Sequence, residues 1–157
     1  MSEIPVASPD YSLRILWSLA RWLEDTKGIE VLREVASKAG VRAEDFDGST
    51  QWVSHAQFEQ ILTAAYEIAG DEETFRTAAG HRFVESYGAF RYMMWGLSQQ
   101  QMCDAAAKYS GKVVTKVGHF EALLSERTRF HLRYRSARPE SRLLCLVRQV
   151  GWTIGPT

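Results

Sequence analysis

Cysteine is scarce: Cys103 and Cys145 are the only two in 157 residues, and they lack the paired spacing of a disulfide framework or a zinc site. A stapled secreted scaffold is thereby excluded, and a reduced, cytoplasmic setting is expected. Long apolar runs are missing as well. No stretch approaches the roughly 20 apolar residues of a membrane span, and Met1 to Pro9 carries neither a basic n-region nor an apolar h-region. Net charge is absent, with 19 basic and 19 acidic residues, so no global field draws the chain to nucleic acid or to an anionic membrane. The 11 glycines stand singly, which rules out a glycine-rich phosphate loop, and no serine occupies a nucleophile-elbow pattern. The four histidines, His55, His81, His119 and His131, share no i, i+3 or i, i+4 relation, so no metal site is expected. With no nucleophile–base pair or paired carboxylates at a recognisable spacing, a non-catalytic role is expected.

What is present is apolar material. The chain is 45% hydrophobic, with five Trp, seven Phe and six Tyr, enough buried surface to offset chain entropy. The length suits one core: residues 1–10 read as an N-terminal arm and 11–157 as a single domain. The charge balance hides an asymmetry. Through Ala107 there are 16 acidic and 9 basic residues; from Lys108 onward there are 3 and 10. The C-terminal part is therefore a basic surface.

Periodicity predicts an α+β fold, an N-terminal helical part of five to six helices followed by a small antiparallel β-meander. Asp10 is positioned to cap a helix over Tyr11–Glu24, whose stripe includes Leu13, Leu16, Leu19 and Leu23. A second helix through Ile29, Leu32, Val35 and Ala39 ends at Gly40. Ser54 and Gln57 form a capping box for a third helix that stops at Gly70. Asp71 caps a fourth, running through Phe75, His81 and Phe83 to Tyr87. Ser98 and Gln101 form a second capping box, and Gly111 closes that helix. The period then changes to two: His119–Leu124, Phe130–Arg135 and Arg142–Val150 read as three strands. The last continues through Gly151–Thr157 with no capping helix or charged tail, which predicts an input domain with an output module downstream.

The segment Tyr87–Trp95 is dense in soft and aromatic side chains, and such residues adapt to apolar ligands. His81, Tyr87, Phe90, Tyr92, Met93 and Trp95 are therefore candidate walls of a pocket between helix and sheet. The arginines Arg129, Arg133, Arg135, Arg138 and Arg142 are candidates to hold an anion or an acidic partner. Leu13, Trp17 and Trp22, on a first helix expected to be exposed, are the candidate homodimer surface, because aromatic anchors favour interfaces.

The order of elements, with Tyr134-Arg135-Ser136-Ala137-Arg138, Leu143-Leu144-Cys145 and Gly151, resembles the heme nitric oxide/oxygen-binding domains and their 4-vinyl reductase relatives. In heme-binding members a Tyr-x-Ser-x-Arg motif grips the propionates, and here it falls on Tyr134, Ser136 and Arg138. Phe90 to Val117 contains no histidine to serve as axial ligand, so the likeness is to heme-free sensors at the N-termini of bacterial histidine kinases and nucleotide cyclases. A second resemblance, through Trp52-Val53-Ser54, Ala69-Gly70-Asp71, Tyr87-Gly88-Ala89-Phe90 and Ser98 to Lys108, is to the ligand-binding domains of AraC-type regulators. Both imply sensing of a small molecule and a downstream output domain; beside them stand the homodimer expected from the first helix, the expectation of no direct contact to nucleic acid or membrane, and no assigned cofactor. A module that docks an acidic protein without a pocket is the competing expectation.

Overall fold

The computed structural model describes residues 8–47, 51–87, 92, 96–113, 115–125 and 130–153. In chain order these form β1 (Pro9–Ser12), a 3-10 turn (Leu13–Leu16), α1 (Trp17–Lys27), α2 (Ile29–Lys38), a second 3-10 turn (Ala43–Phe46), β2 (Trp52–Ser54), α3 (His55–Ala69), α4 (Glu72–Gly80), a third 3-10 turn (Phe83–Tyr87), α5 (Gln99–Val113), β3 (Gly118–Ser125), β4 (Phe130–Ser136) and α6 (Arg142–Thr153). The expected α+β class is the observed one: helices dominate, β1 pairs with β2, and β3 pairs with β4, both antiparallel. No helix among the described residues is long and apolar enough to cross a membrane.

The helix boundaries follow local chemistry. At Ser54 the side chain accepts from the Gln57 amide (3.3 Å) while the Ser54 amide donates to Gln57 Oε1 (3.1 Å), so two orphan donors of the first turn of α3 are satisfied at once. Asp71 Oδ1 accepts from the Thr74 amide at 2.8 Å. Ser98 and Gln101 repeat the box ahead of α5, at 3.2 and 2.8 Å. Gly70 ends α3 at φ +82°, and its amide donates to the Tyr66 carbonyl at 2.9 Å; an L side chain there would be strained.

The buried apolar core unites β1, β2, α1 to α4 and α6. Phe46, Phe58, Phe75, Leu13, Leu16 and Leu62 are fully enclosed, and Leu144, Leu146 and Val147 join them from α6. Fully burying each such side chain contributes about 1.5–3 kcal/mol. Among the described residues, no buried apolar side chain of α5, β3 or β4 belongs to this core. Those three elements pack chiefly on one another and make a separate layer beside the helical body.

Four expectations are corrected. Residues 9–12, read partly as an arm and partly as a helix start, form β1, because the backbone there is claimed by β2 and by a bridge from Tyr11 to Thr115; Ser12 then caps the 3-10 turn by accepting from the Arg14 amide at 3.3 Å. Leu13 and Trp22 are not exposed. They are 0% and 7% accessible and lie in the core, so they offer no dimer surface in this fold; Trp17 is half-buried. α4 ends at Gly80, with His81 as its C-cap and Arg82 at φ +50°. Last, Arg142–Val150 is the start of α6, not a strand. Ser141 caps it by accepting from the Leu144 amide at 3.2 Å. A short, almost continuous apolar run suits either structure by pattern alone, and burial of Leu144 and Val147 at i, i+3 spacing decides for the helix.

A candidate ligand site where the hairpin meets the helical body

The β3–β4 hairpin is joined to the body through β1. The Asp10 carbonyl accepts from the Lys116 amide (2.8 Å) and from Thr115 Oγ1 (3.2 Å), while the Val117 carbonyl accepts from the Ala137 amide at 2.7 Å. The β1–β2 register shifts between Pro9 and Tyr11, a bulge at Asp10 that re-aims its side chain. Asp10 and Tyr11 are consequently both buried, at 4% and 1% exposure, and both face the seam.

Around that seam polar groups accumulate. The Tyr11 ring stacks on Phe58 (centroids 4.5 Å apart) and lies 5.7 Å from the His55 ring, which places it on the first turns of α3. His55 and Glu59 share one face of that helix at i, i+4 spacing. From the hairpin, Arg138 Nη1 comes within 2.7 Å of Asp10 Oδ2, an ion pair whose angle falls short of a well-formed hydrogen bond. Glu140, 7% exposed at its side chain, pairs with Arg148 of α6, and the Arg148 guanidinium sits 4.0 Å over the Tyr134 ring, a cation–π contact. The Tyr134 hydroxyl lies beside the Glu140 carboxylate. Burial first, and that carboxylate second, push the Tyr134 hydroxyl well above its ordinary value. Tyr11 is shifted the same way by burial, then by Glu140, Glu59 and Asp10, with Arg138 opposing. Both phenols therefore stay protonated.

Buried polar atoms without a well-formed hydrogen bond concentrate here. Among the described residues they are Asp10 Oδ2, Tyr11 Oη, His55 Nδ1, Glu59 Oε1, Glu140 Oε1 and one atom elsewhere, Arg21 Nε. Each such atom costs about 1–3 kcal/mol relative to a satisfied one, and folded proteins retain few of them. Asp10 Oδ2 has its charge met by Arg138; the other four leave hydrogen-bonding capacity at this seam that a bound molecule or ordered water can use.

The structure brings three of the expected ligand residues to this seam and leaves the others apart. Tyr134 and Arg138 belong to it directly; Ser136, half-buried, accepts from the Arg138 amide at 3.3 Å and shapes the turn between them. His81 is distant in role: it is no mid-helix pocket wall, and its Nε2 meets Asp25 Oδ2 at 2.7 Å. Tyr87 ends the third 3-10 turn, and Tyr92 is 58% exposed. Phe90, Met93 and Trp95 lie outside the described residues, as does Arg129. The remaining members of the basic face are already engaged: Arg133 and Arg135 by Glu121, Arg138 by Asp10 and Arg142 by Glu72. Two surface hollows, of about 470 and 320 Å³, are lined by residues around Arg33 and Gly40 and around Val31 and Ile68; neither touches an expected ligand residue.

Asp10, Tyr11, His55, Glu59, Glu140 and Arg148 were not legible as site residues. One signal was available. Glu140 is the single carboxylate among the arginines from Arg127 to Arg148, and an isolated acid in a basic segment commonly has a structural partner. The carboxylates of Asp10 and Glu140 at the Tyr134-x-Ser136-x-Arg138 motif also make it a poor seat for heme propionates, since like charges repel there. No family model, curated protein or solved structure matches the chain significantly.

Proposed function

We propose that the chain is a non-catalytic, ligand-sensing input domain of a bacterial signal-transduction protein, and that its ligand binds in the seam between the helical body and the β3–β4 hairpin. One observation carries this reading: four buried polar atoms without a partner, Tyr11 Oη, His55 Nδ1, Glu59 Oε1 and Glu140 Oε1, gather around Tyr11. The site differs in character from an apolar pocket lined by Tyr92, Met93 and Trp95, because its walls are carboxylates, phenols and guanidinium groups. The route outward is short. Arg148 holds Glu140 and Tyr134 from α6, and α6 packs on α3 and α4, so closing the hairpin on a ligand bears directly on α6 and through it on two helices of the core. A coupling of about 1–3 kcal/mol, or roughly 5- to 150-fold in affinity, is enough for signalling. The internal pairing of the basic face argues against a module that docks an acidic protein there.

A thermal-shift screen of a metabolite library tests this. A ligand at 100 times its Kd adds about 2.7 kcal/mol of stability. Its effect is expected to disappear in Tyr11→Phe, which removes a hydroxyl but no packing. A library in which nothing stabilises the protein, or in which every hit is indifferent to Tyr11→Phe, refutes the reading.

A further inference from the structure

The composition of the seam narrows the ligand. Three carboxylates, Asp10, Glu59 and Glu140, face two guanidinium groups, Arg138 and Arg148, and each of those is committed to one acid. Glu59 is left without an ion pair among the described residues, and its Oε1 is buried with no donor. The Glu59 side chain is half-buried and no guanidinium meets it, so the seam holds one more carboxylate than it pairs. Apart from Asp10 Oδ2, which Arg138 meets, the buried atoms without a partner are two carboxylate oxygens, which accept, and the Tyr11 hydroxyl and His55 Nδ1, which can do either.

The spread of the acids separates one kind of cation from another. Among the described residues no three His, Cys, Asp or Glu side chains come close enough together to hold a metal ion. A single-atom cation is therefore unable to serve these acceptors at once. A planar head with N–H donors on several atoms reaches acceptors that a point charge does not, and guanidinium pairs with carboxylates in a bidentate fork.

We infer that the seam takes an organic cation with a guanidinium or amidinium head, whose charge is met by Glu59 and whose N–H groups also reach Tyr11 and Glu140. The inference rests on the sensor reading above and adds the chemical class of its ligand. Glu59 is the positioning charge; Tyr11, 1% exposed and stacked on Phe58, is a rigid acceptor behind it.

The test uses the whole chain and two probes of equal charge, methylguanidinium and tetramethylammonium, at constant ionic strength. Guanidinium ions in general lower stability, so a rise in melting temperature with methylguanidinium, absent with tetramethylammonium, reports specific binding. Glu59→Gln is expected to weaken methylguanidinium binding at least tenfold by calorimetry. In the absence of probe the same variant is expected to unfold cooperatively near the parent's melting temperature, because a half-buried carboxylate without an ion pair adds little stability; this second readout shows that it folds. Equal responses to the two probes, or unchanged methylguanidinium binding in Glu59→Gln, overturn the assignment. A neutral or anionic library ligand that is lost in Tyr11→Phe and retained in Glu59→Gln overturns the cation and leaves the sensor reading intact. A library and probe set with no binder at all overturns both.

Discussion

Gly118→Ala is the sharpest probe of how tightly the seam is built. A Cβ at Gly118 lies 2.0 Å from the Tyr134 hydroxyl oxygen, 2.5 Å from Cζ and 2.9 Å from Cε2, where carbon–carbon contacts prefer about 3.5–4.0 Å. The ring has to retreat by more than an ångström. It has little room, with the Arg148 guanidinium 4.0 Å over its face and the Phe120 ring 5.0 Å away. Overpacking of this kind costs about 1–3 kcal/mol, and displacement from Glu140 and Arg148 places the expected loss near 2 kcal/mol. For a domain of this size, that lowers Tm by about 4–8 °C. Urea unfolding of four proteins measures it: the parent, Gly118→Ala, Tyr134→Leu and the double variant. In the Tyr134→Leu background the clash is absent, and alanine is a better strand residue than glycine by roughly 0.5–1 kcal/mol, so the sign of the Gly118→Ala effect is expected to reverse. A loss of about 2 kcal/mol in both backgrounds would falsify the argument, since the damage would then not pass through Tyr134.

Two further outcomes are expected. Leu13→Ala, at a fully enclosed position, lowers unfolding free energy by about 2–5 kcal/mol and leaves the sedimentation coefficient unchanged; a weakened dimer with intact stability would return Leu13 to the surface. Asp25 is held below the ordinary aspartate value of 3.8 by the His81 ring N–H first and by Arg82 besides. Its contribution is therefore complete above that value and lost as pH falls through the lower folded one. Asp25→Asn is expected to lower Tm slightly at neutral pH, as exposed pairs do, with the gap to the parent closing only as pH falls below 3.8. A gap that persists once the parent's aspartate is fully protonated contradicts the pairing.

The local features of this protein were set by its sequence alone. Ser54 with Gln57, Asp71, Ser98 with Gln101, and Gly70 determine where helices start and stop through hydrogen bonds spanning three or four residues, which any chain with those spacings makes. The strand Phe130–Ser136 was equally legible, because Phe130, Leu132 and Tyr134 alternate with His131, Arg133 and Arg135. Tertiary contacts decided the rest. Residues 9–12 become a strand because distant segments, Trp52–Ser54 and Thr115, supply hydrogen-bond partners that outweigh a local helical stripe. Arg142–Val150 becomes a helix because a core is there to bury Leu144 and Val147. The seam is wholly a product of the fold: Tyr11, Glu59, Tyr134 and Glu140 are separated by up to 129 positions in the chain, and no local pattern encodes that they meet. Short-range hydrogen bonding and side-chain period act within a few residues. Burial and charge compensation act across space, so they decide which polar groups end up together and which of them are left wanting a partner.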